Sequence, residues 1–198
     1  KAFRMGESGR KHNPEFTMVE WYRREFTLNQ MMEETVELCQ LVAGTSRQFT
    51  TETLSYEDVF IKATGLDPFT SSNEKLLSHS SIIDKGFSSK EFSDRSDILN
   101  FLMSEVVEPS LNPSMLTVVH SFPIILSSQA LPDPTNSSVS LRFEIFGGGM
   151  ELGNGYQELR DVAEYRNRFE TENQKRQLAG KVVPPLDERW VVDVSPEL

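Results

Sequence analysis

The chain has 198 residues, 37% hydrophobic and 25% charged, with a formal net charge of -10. That length can bury a full core, the charge lacks the basic footprint of a general nucleic-acid binder, and no apolar run approaches the roughly 20 residues that a membrane span needs. Its one cysteine, Cys39, and three scattered histidines exclude an intrachain disulfide and a cysteine–histidine zinc site, and suit a reducing, cytoplasmic setting.

Basic residues gather near the start, at Arg4, Arg10 and Lys11, against the acidic balance of the whole. A local reversal of that kind calls for an anionic ligand or a structural reason. Residues 14–22 (PEFTMVEWY) alternate, which predicts a strand beginning at Pro14. Phe16, Met18, Glu20 and Tyr22 would share one face, and Thr17, Val19 and Trp21 the other. Thr27 reads as an N-cap. Leu28, Met31, Met32, Val36, Cys39 and Val42 then recur at helical spacing up to Gly44, the pattern of a core-facing helix.

Residues 50–110 read as a small helical insertion. Ser55 to Asp58 has the form of a capping box and opens a short helix ending near Gly65. Asp67-Pro68 marks a turn. Seven serines between 71 and 89 point to a loop or a weak helix, and residues 94–107 carry Ile98, Phe101, Leu102, Glu105 and Val106 at helical spacing. Strand character returns at 115–126 and at 141–152, the latter interrupted by three glycines. A long polar helix is expected over 161–180, stopping at Gly180 ahead of Pro184-Pro185, with a last short helix over 187–194. The order of elements predicts an α+β fold with an antiparallel sheet and flanking helices.

Two constellations could carry chemistry. In the first, Arg4, Arg10, His12 and Asn13 precede Phe16, Glu20 and Tyr22. An arginine fork suits phosphate, and an aromatic face suits a nucleobase. The same residues also fit a solvated basic turn ahead of a half-buried strand. In the second, Glu151, Asn154 and Glu158 interleave with Gly153 and Gly155. Carboxylate and amide oxygens suit a hard cation such as Mg2+, and glycines let backbone approach a ligand. That stretch also fits a glycine-rich turn leading into a helix. Taken together, the two sets suit nucleotide activation, where positioning and charge neutralisation dominate.

Residues 3–23 (FRMGESGRKHNPEFTMVEWYR) resemble motif 2 of the class II aminoacyl-tRNA synthetases of the lysine type. Residues 150–170 (MELGNGYQELRDVAEYRNRFE) resemble the later acidic motif of the same family. The two matches fall in family order, separated by an insertion of the right size. Residues 20–23 and 128–131 look most like the branch that attaches (R)-β-lysine to a lysine of elongation factor P.

The resemblance implies an ATP- and Mg2+-dependent ligase that activates lysine or β-lysine as an adenylate. It implies elongation factor P as acyl acceptor, with tRNA ranked second, no membrane partner, and a family that is homodimeric. Arg4 would hold the α-phosphate as the catalytic residue. Glu7, His12, Asn13, Phe16, Glu151 and Leu152 would contact ATP. Glu20, Tyr22, Asn154 and Glu158 would line the amino-acid pocket, with Glu151 and Glu158 also expected at the metal. Gly6 stands where the family carries an acid, so Glu7 is the substitute adenine contact. The family's dimer-forming motif 1 would precede Lys1, and its terminal glycine-rich motif would follow Leu198. Residues 1–198 are therefore expected to be a partial catalytic core, inactive in isolation. A degenerate, non-catalytic binding module is the rival from another class.

Overall fold

The computed structural model describes residues 1–4, 9, 12–44, 49–83, 92 and 94–188. Glu7, Arg10, Lys11, part of the serine-rich stretch and most of the expected 187–194 helix lie outside the described residues.

A two-stranded ribbon comes first: β1 (Ala2–Phe3) pairs antiparallel with β2 (Glu15–Phe16). The predicted 14–22 strand is thus only two residues long. Beyond Phe16 the chain pairs with no strand among the described residues, and Met18, Val19 and Tyr22 are all exposed, so alternation produces no buried face. The chain instead lies along α1 (Leu28–Ala43). The Trp21 indole donates to Glu34 at 2.9 Å, and Arg23 grips the same carboxylate through Nε and a second nitrogen at 2.9 and 2.7 Å.

Helix α1 starts where the sequence predicts. The Thr27 hydroxyl accepts from the Gln30 N–H, and the Gln30 side chain accepts from the Thr27 N–H, a reciprocal capping box. The helix lays Leu28, Met31, Met32, Val36 and Cys39 against one face of the sheet, where Leu116, Val118, Phe143 and Ile145 are buried. Val42, expected in that stripe, is exposed at the last turn.

The stretch 50–110 is not purely helical. It opens with β3 (Thr50–Ser55), which joins the main sheet parallel to β4 (Met115–Pro123). Threonine-rich alternation hides such a strand, because its polar positions read as loop. Ser55 ends β3 and caps α2 (Tyr56–Thr64), which stops at left-handed Gly65. Helix α3 (Asn73–Ile83) and α4 (Arg95–Leu102) follow, the latter capped by Asp94. A π-helical segment, Met103–Val107, and the short α5 (Glu108–Ser110) continue from it. The wider turn shifts the apolar stripe, so Met103 and Val107 are buried while the predicted Glu105 is exposed.

The sheet runs β3-β4-β6-β5, with β7 paired on β6. Only β3 and β4 run parallel; β5 (Pro132–Asp133), β6 (Asn136–Gly147) and β7 (Met150–Tyr156) pair antiparallel, as the sequence predicts. Gly148 and Gly149, at φ 62° and 79°, make the β6–β7 turn, whose left-handed geometry other residues resist. Helices α2, α3 and α4 pack Tyr56, Phe60, Leu76, Leu99 and Leu102 onto Val119, Phe122 and Phe146, on the sheet face opposite α1. Helix α6 (Val162–Leu178) begins at Asp161 and closes the far end through Tyr165 and Leu159. Among the described residues no helix is long and apolar enough to cross a membrane.

Candidate functional site

The β6–β7 hairpin builds the acidic half of the site. Pairing sets Arg142 opposite Tyr156, Glu144 opposite Asn154 and Ile145 opposite Gly153. Opposed residues share a face, so Arg142, Glu144, Tyr156 and Asn154 line up on the face away from α1. Strict alternation would send Glu151 to the α1 side. The register shifts between Ile145 and Phe146, however, and Glu151 falls opposite Phe146. The extra residue, Leu152, forms a bulge that turns Glu151 onto the Glu144 face.

Glu144 is a buried carboxylate held by Arg142, 2.5 Å away. Arg142 also donates to the Leu126 carbonyl and lies 4.6 Å from the Phe122 ring centre. Burial pushes the Glu144 carboxyl up to about 7; Arg142 pulls the other way, and Glu151 and Glu108 add to the rise. The buried Tyr56 hydroxyl lies in the field of the same Glu144–Arg142 pair, its own acidity suppressed first by burial and then by Glu144. Among the described residues it has no hydrogen-bond partner.

Glu151 therefore joins Glu144, a residue that sequence reasoning passed over because it sits in an apolar strand. Glu151 and Glu158, expected to share a cation, are seven residues apart along extended chain, roughly 23 Å at strand rise. One ion cannot bridge that span. Among the described residues no three metal-ligating side chains converge. Two carboxylates on one face, one of them strained by burial beside its neighbour, fit a hard divalent cation that takes its remaining ligands from water or phosphate.

The glycines of β7 serve packing. A Cβ on Gly155 would lie 2.5 Å from the Phe143 ring, and one on Gly153 would touch Ile145. Both face α1, away from the acidic residues, so the expectation that they let a ligand approach is replaced by a core role. Leu152 covers Gly147, where a Cβ would come within 3.0 Å of its side chain.

A second cluster forms at the far end of β7. Glu158 bridges Ala130 and is half-buried, and burial raises its carboxyl. Tyr156 is pushed up to about 12, by burial first and then by Glu158 and Tyr22. Tyr22, exposed over most of its surface, is raised by the desolvation of its covered part and then by Glu158 and Glu20. Glu20, Tyr22, Tyr156 and Glu158 therefore share one electrostatic neighbourhood, although two belong to the N-terminal segment and two to the sheet. Tyr156 was not singled out by sequence. Its signal is the position two residues before Glu158, on the same strand face. Two carboxylates beside two phenol rings suit a substrate carrying an ammonium group.

The N-terminal ribbon carries Arg4. Arg4 donates its N–H to the Pro14 carbonyl, and its guanidinium lies over the Phe16 ring at 5.2 Å. His12 and Asn13 are exposed in the adjoining turn, where the His12 carbonyl accepts from the Gly9 N–H. The structure thus sets Arg4 over Phe16, puts Tyr22 within the electrostatic reach of Glu158, and places Glu151 on the Glu144 face. Leu152 and Asn154 are exposed on the same hairpin as the last pair.

The family described as tRNA synthetases class II (D, K and N) matches residues 1–183. A Haemophilus influenzae protein named elongation factor P–(R)-beta-lysine ligase is 38% identical over 191 residues, covering 96% of this chain and 58% of the relative. The protein of that name from Edwardsiella ictaluri is 38% identical over 188 residues, covering 95% and 57%. That from Sodalis glossinidius is 36% identical over 195 residues, covering 98% and 59%. The chain spans a little under three-fifths of the length of the curated relatives it matches.

Proposed function

The chain belongs to the class II tRNA synthetases (D, K and N), and from that premise we propose that the whole protein activates a lysine-like diamino acid with ATP. The aminoacyl group then passes to a lysine of elongation factor P, the acceptor in the names of its relatives. What supports the reading is the family match together with Tyr156 and Glu158 on one face at the end of β7, where the charge of Glu158 is also felt by Tyr22. A carboxylate beside phenol rings suits an ammonium group of lysine or (R)-β-lysine.

The reaction needs no side-chain nucleophile. A substrate carboxylate oxygen attacks the α-phosphorus of ATP and pyrophosphate leaves. An acceptor amine then attacks the acyl carbon of the adenylate, and AMP leaves with the bonding pair. The protein contributes alignment and charge stabilisation. Arg4 would neutralise the α-phosphate as negative charge spreads over it. Phe16 would stack on adenine, with Glu7, His12 and Asn13 around the nucleotide and Leu152 beside it. Asn154 would meet the substrate on the Glu144 face. Glu144 and Glu151 would hold Mg2+, which when bound offsets phosphate charge. Glu158 serves the amino-acid end of the pocket.

ATP–pyrophosphate exchange by the whole protein, with lysine and with (R)-β-lysine, tests the reading. Exchange dependent on one of them, followed by labelling of elongation factor P, is the expected result. Labelling of tRNA alone would move the protein to the tRNA-charging side of its family. No exchange with either amino acid would leave a binding module without catalysis.

A further inference from the structure

The segment 127–131 packs beside the amino-acid end of the site, and its anchoring is unusually dense. Arg168 of α6 donates to the Ser127 hydroxyl and to the carbonyls of Ser128 and Ala130, at 2.8, 3.0 and 2.9 Å, while Glu164 holds the guanidinium from the turn before. Ser128 is in the left-handed region at φ 51°, a conformation a serine adopts only when its surroundings hold it there. The Leu131 N–H donates to Gln157, and the Leu159 N–H donates to Gln129. The segment thus forms a rigid extra rung against residues 157–159, with Glu158 inside it.

That frame points one side chain at the site. The Gln129 amide nitrogen donates to the Tyr165 hydroxyl at 3.2 Å, and the Tyr156 hydroxyl donates to the Gln129 amide oxygen at 3.3 Å. Tyr165 is buried at the start of α6, and Gln129 and Tyr156 are half-buried. The two bonds use opposite ends of one amide, so they fix its orientation: a flip would break both. Both are at the long end of hydrogen-bond range, which makes the link a tether of modest strength. A phenylalanine at 156 would fill the same space without it.

We propose that Gln129 is a positioning residue of the amino-acid pocket, acting through Tyr156: it ties the phenol to Tyr165 and α6 and so sets the ring beside Glu158, where the substrate's ammonium would lie between ring face and carboxylate. The tether deepens the diamino-acid reading above and rests on it. Its effect falls on amino-acid affinity and on the preferred length of the diamino chain. ATP affinity is spared, because Arg4 and Phe16 sit on the separate N-terminal ribbon, and Glu151 and Leu152 lie at the opposite end of β7 from Tyr156.

The test uses the whole protein with Gln129→Leu, Tyr156→Phe and both. In pyrophosphate exchange each single variant should raise KM for lysine or (R)-β-lysine about three- to tenfold. KM for ATP and kcat should stay within twofold, and the double variant should be no worse than the worse single. The ratio of exchange with the working substrate to exchange with a diamino acid one carbon shorter should also fall. Unchanged amino-acid KM in Tyr156→Phe, which deletes one oxygen, would overturn the proposal, as would equal rises for ATP and amino acid. If the unsubstituted protein supports no exchange, it is the wider functional reading that fails. The tether is then read from thermal unfolding of the same four proteins, where single-variant shifts that simply add would overturn it.

Discussion

The two halves of the site are built in opposite ways. The β6–β7 hairpin fixes Glu144, Glu151 and Tyr156 through a ladder of backbone pairings, so each side chain's direction follows from register. In the segment 12–26, ladder pairing among the described residues stops at Glu15 and Phe16; further on, Trp21 and Arg23 clamp onto Glu34, and Met18, Val19 and Tyr22 stay exposed. A ladder holds positions to the precision of the pleat, whereas a strap holds them only to the reach of a few side chains. In the proposed reaction, alignment would depend on a rigid wall meeting a compliant strap.

The largest expected effect breaks the wall. Phe143→Ala removes a buried ring packed between Gly155 and α1, and should cost about 3–5 kcal/mol in denaturant unfolding. Gly155→Ala attacks the same contact from the other side. A methyl 2.5 Å from the Phe143 ring forces repacking, with an expected loss of about 1–3 kcal/mol by thermal or urea melts. A neutral result would mean that β7 yields like the strap. On the strap, Glu34→Gln removes the charge that Arg23 and Trp21 share, and that carboxyl is held below the usual range first by Arg23 and then by Trp21. The melting temperature should hardly move, while protease cleavage within 17–26 accelerates and amino-acid KM rises severalfold. Loss of global stability in that variant would erase the distinction.

The smallest effect lies away from both halves, at the Asp94–Lys175 pair that joins the α4 N-terminus to α6 at 2.6 Å. Burial pushes Asp94 up, but bonds from Lys175, Ser96 and the Asp97 N–H outweigh it and lower the carboxyl to about 2. A carboxyl lowered from 3.8 contributes stability present above about 3.8 and lost as pH falls through about 2. Asp94→Asn keeps an N-cap acceptor but removes the charge, so it should melt modestly lower at neutral pH and lose that acid-side decline, its curve meeting the parent's below about pH 2.

Much of this was legible before folding. Thr27 and Ser55 announce their helices through cap chemistry, and the glycine triplet marks the interruption between β6 and β7, because both signals are local. Strand β3 was not legible: its threonines alternate without an apolar face of their own, and only pairing with β4 makes them a strand. The predicted strand at 14–22 failed for the converse reason. It has the pattern but, among the described residues, no partner past Phe16, and a strand is a relation between two segments.

The sequence by itself determined the chemical inventory: an arginine and a phenylalanine near one end, carboxylates near the other, and a family resemblance that linked them. Only the tertiary structure decided which members meet. A one-residue bulge at Leu152 turns Glu151 onto the Glu144 face, the length of β7 keeps it from Glu158, and the Tyr156 phenol reaches Gln129 across 27 positions of sequence. Composition and spacing carry the period of a strand, but a single inserted residue reverses the face of everything before it, and that insertion is defined by the partner strand alone.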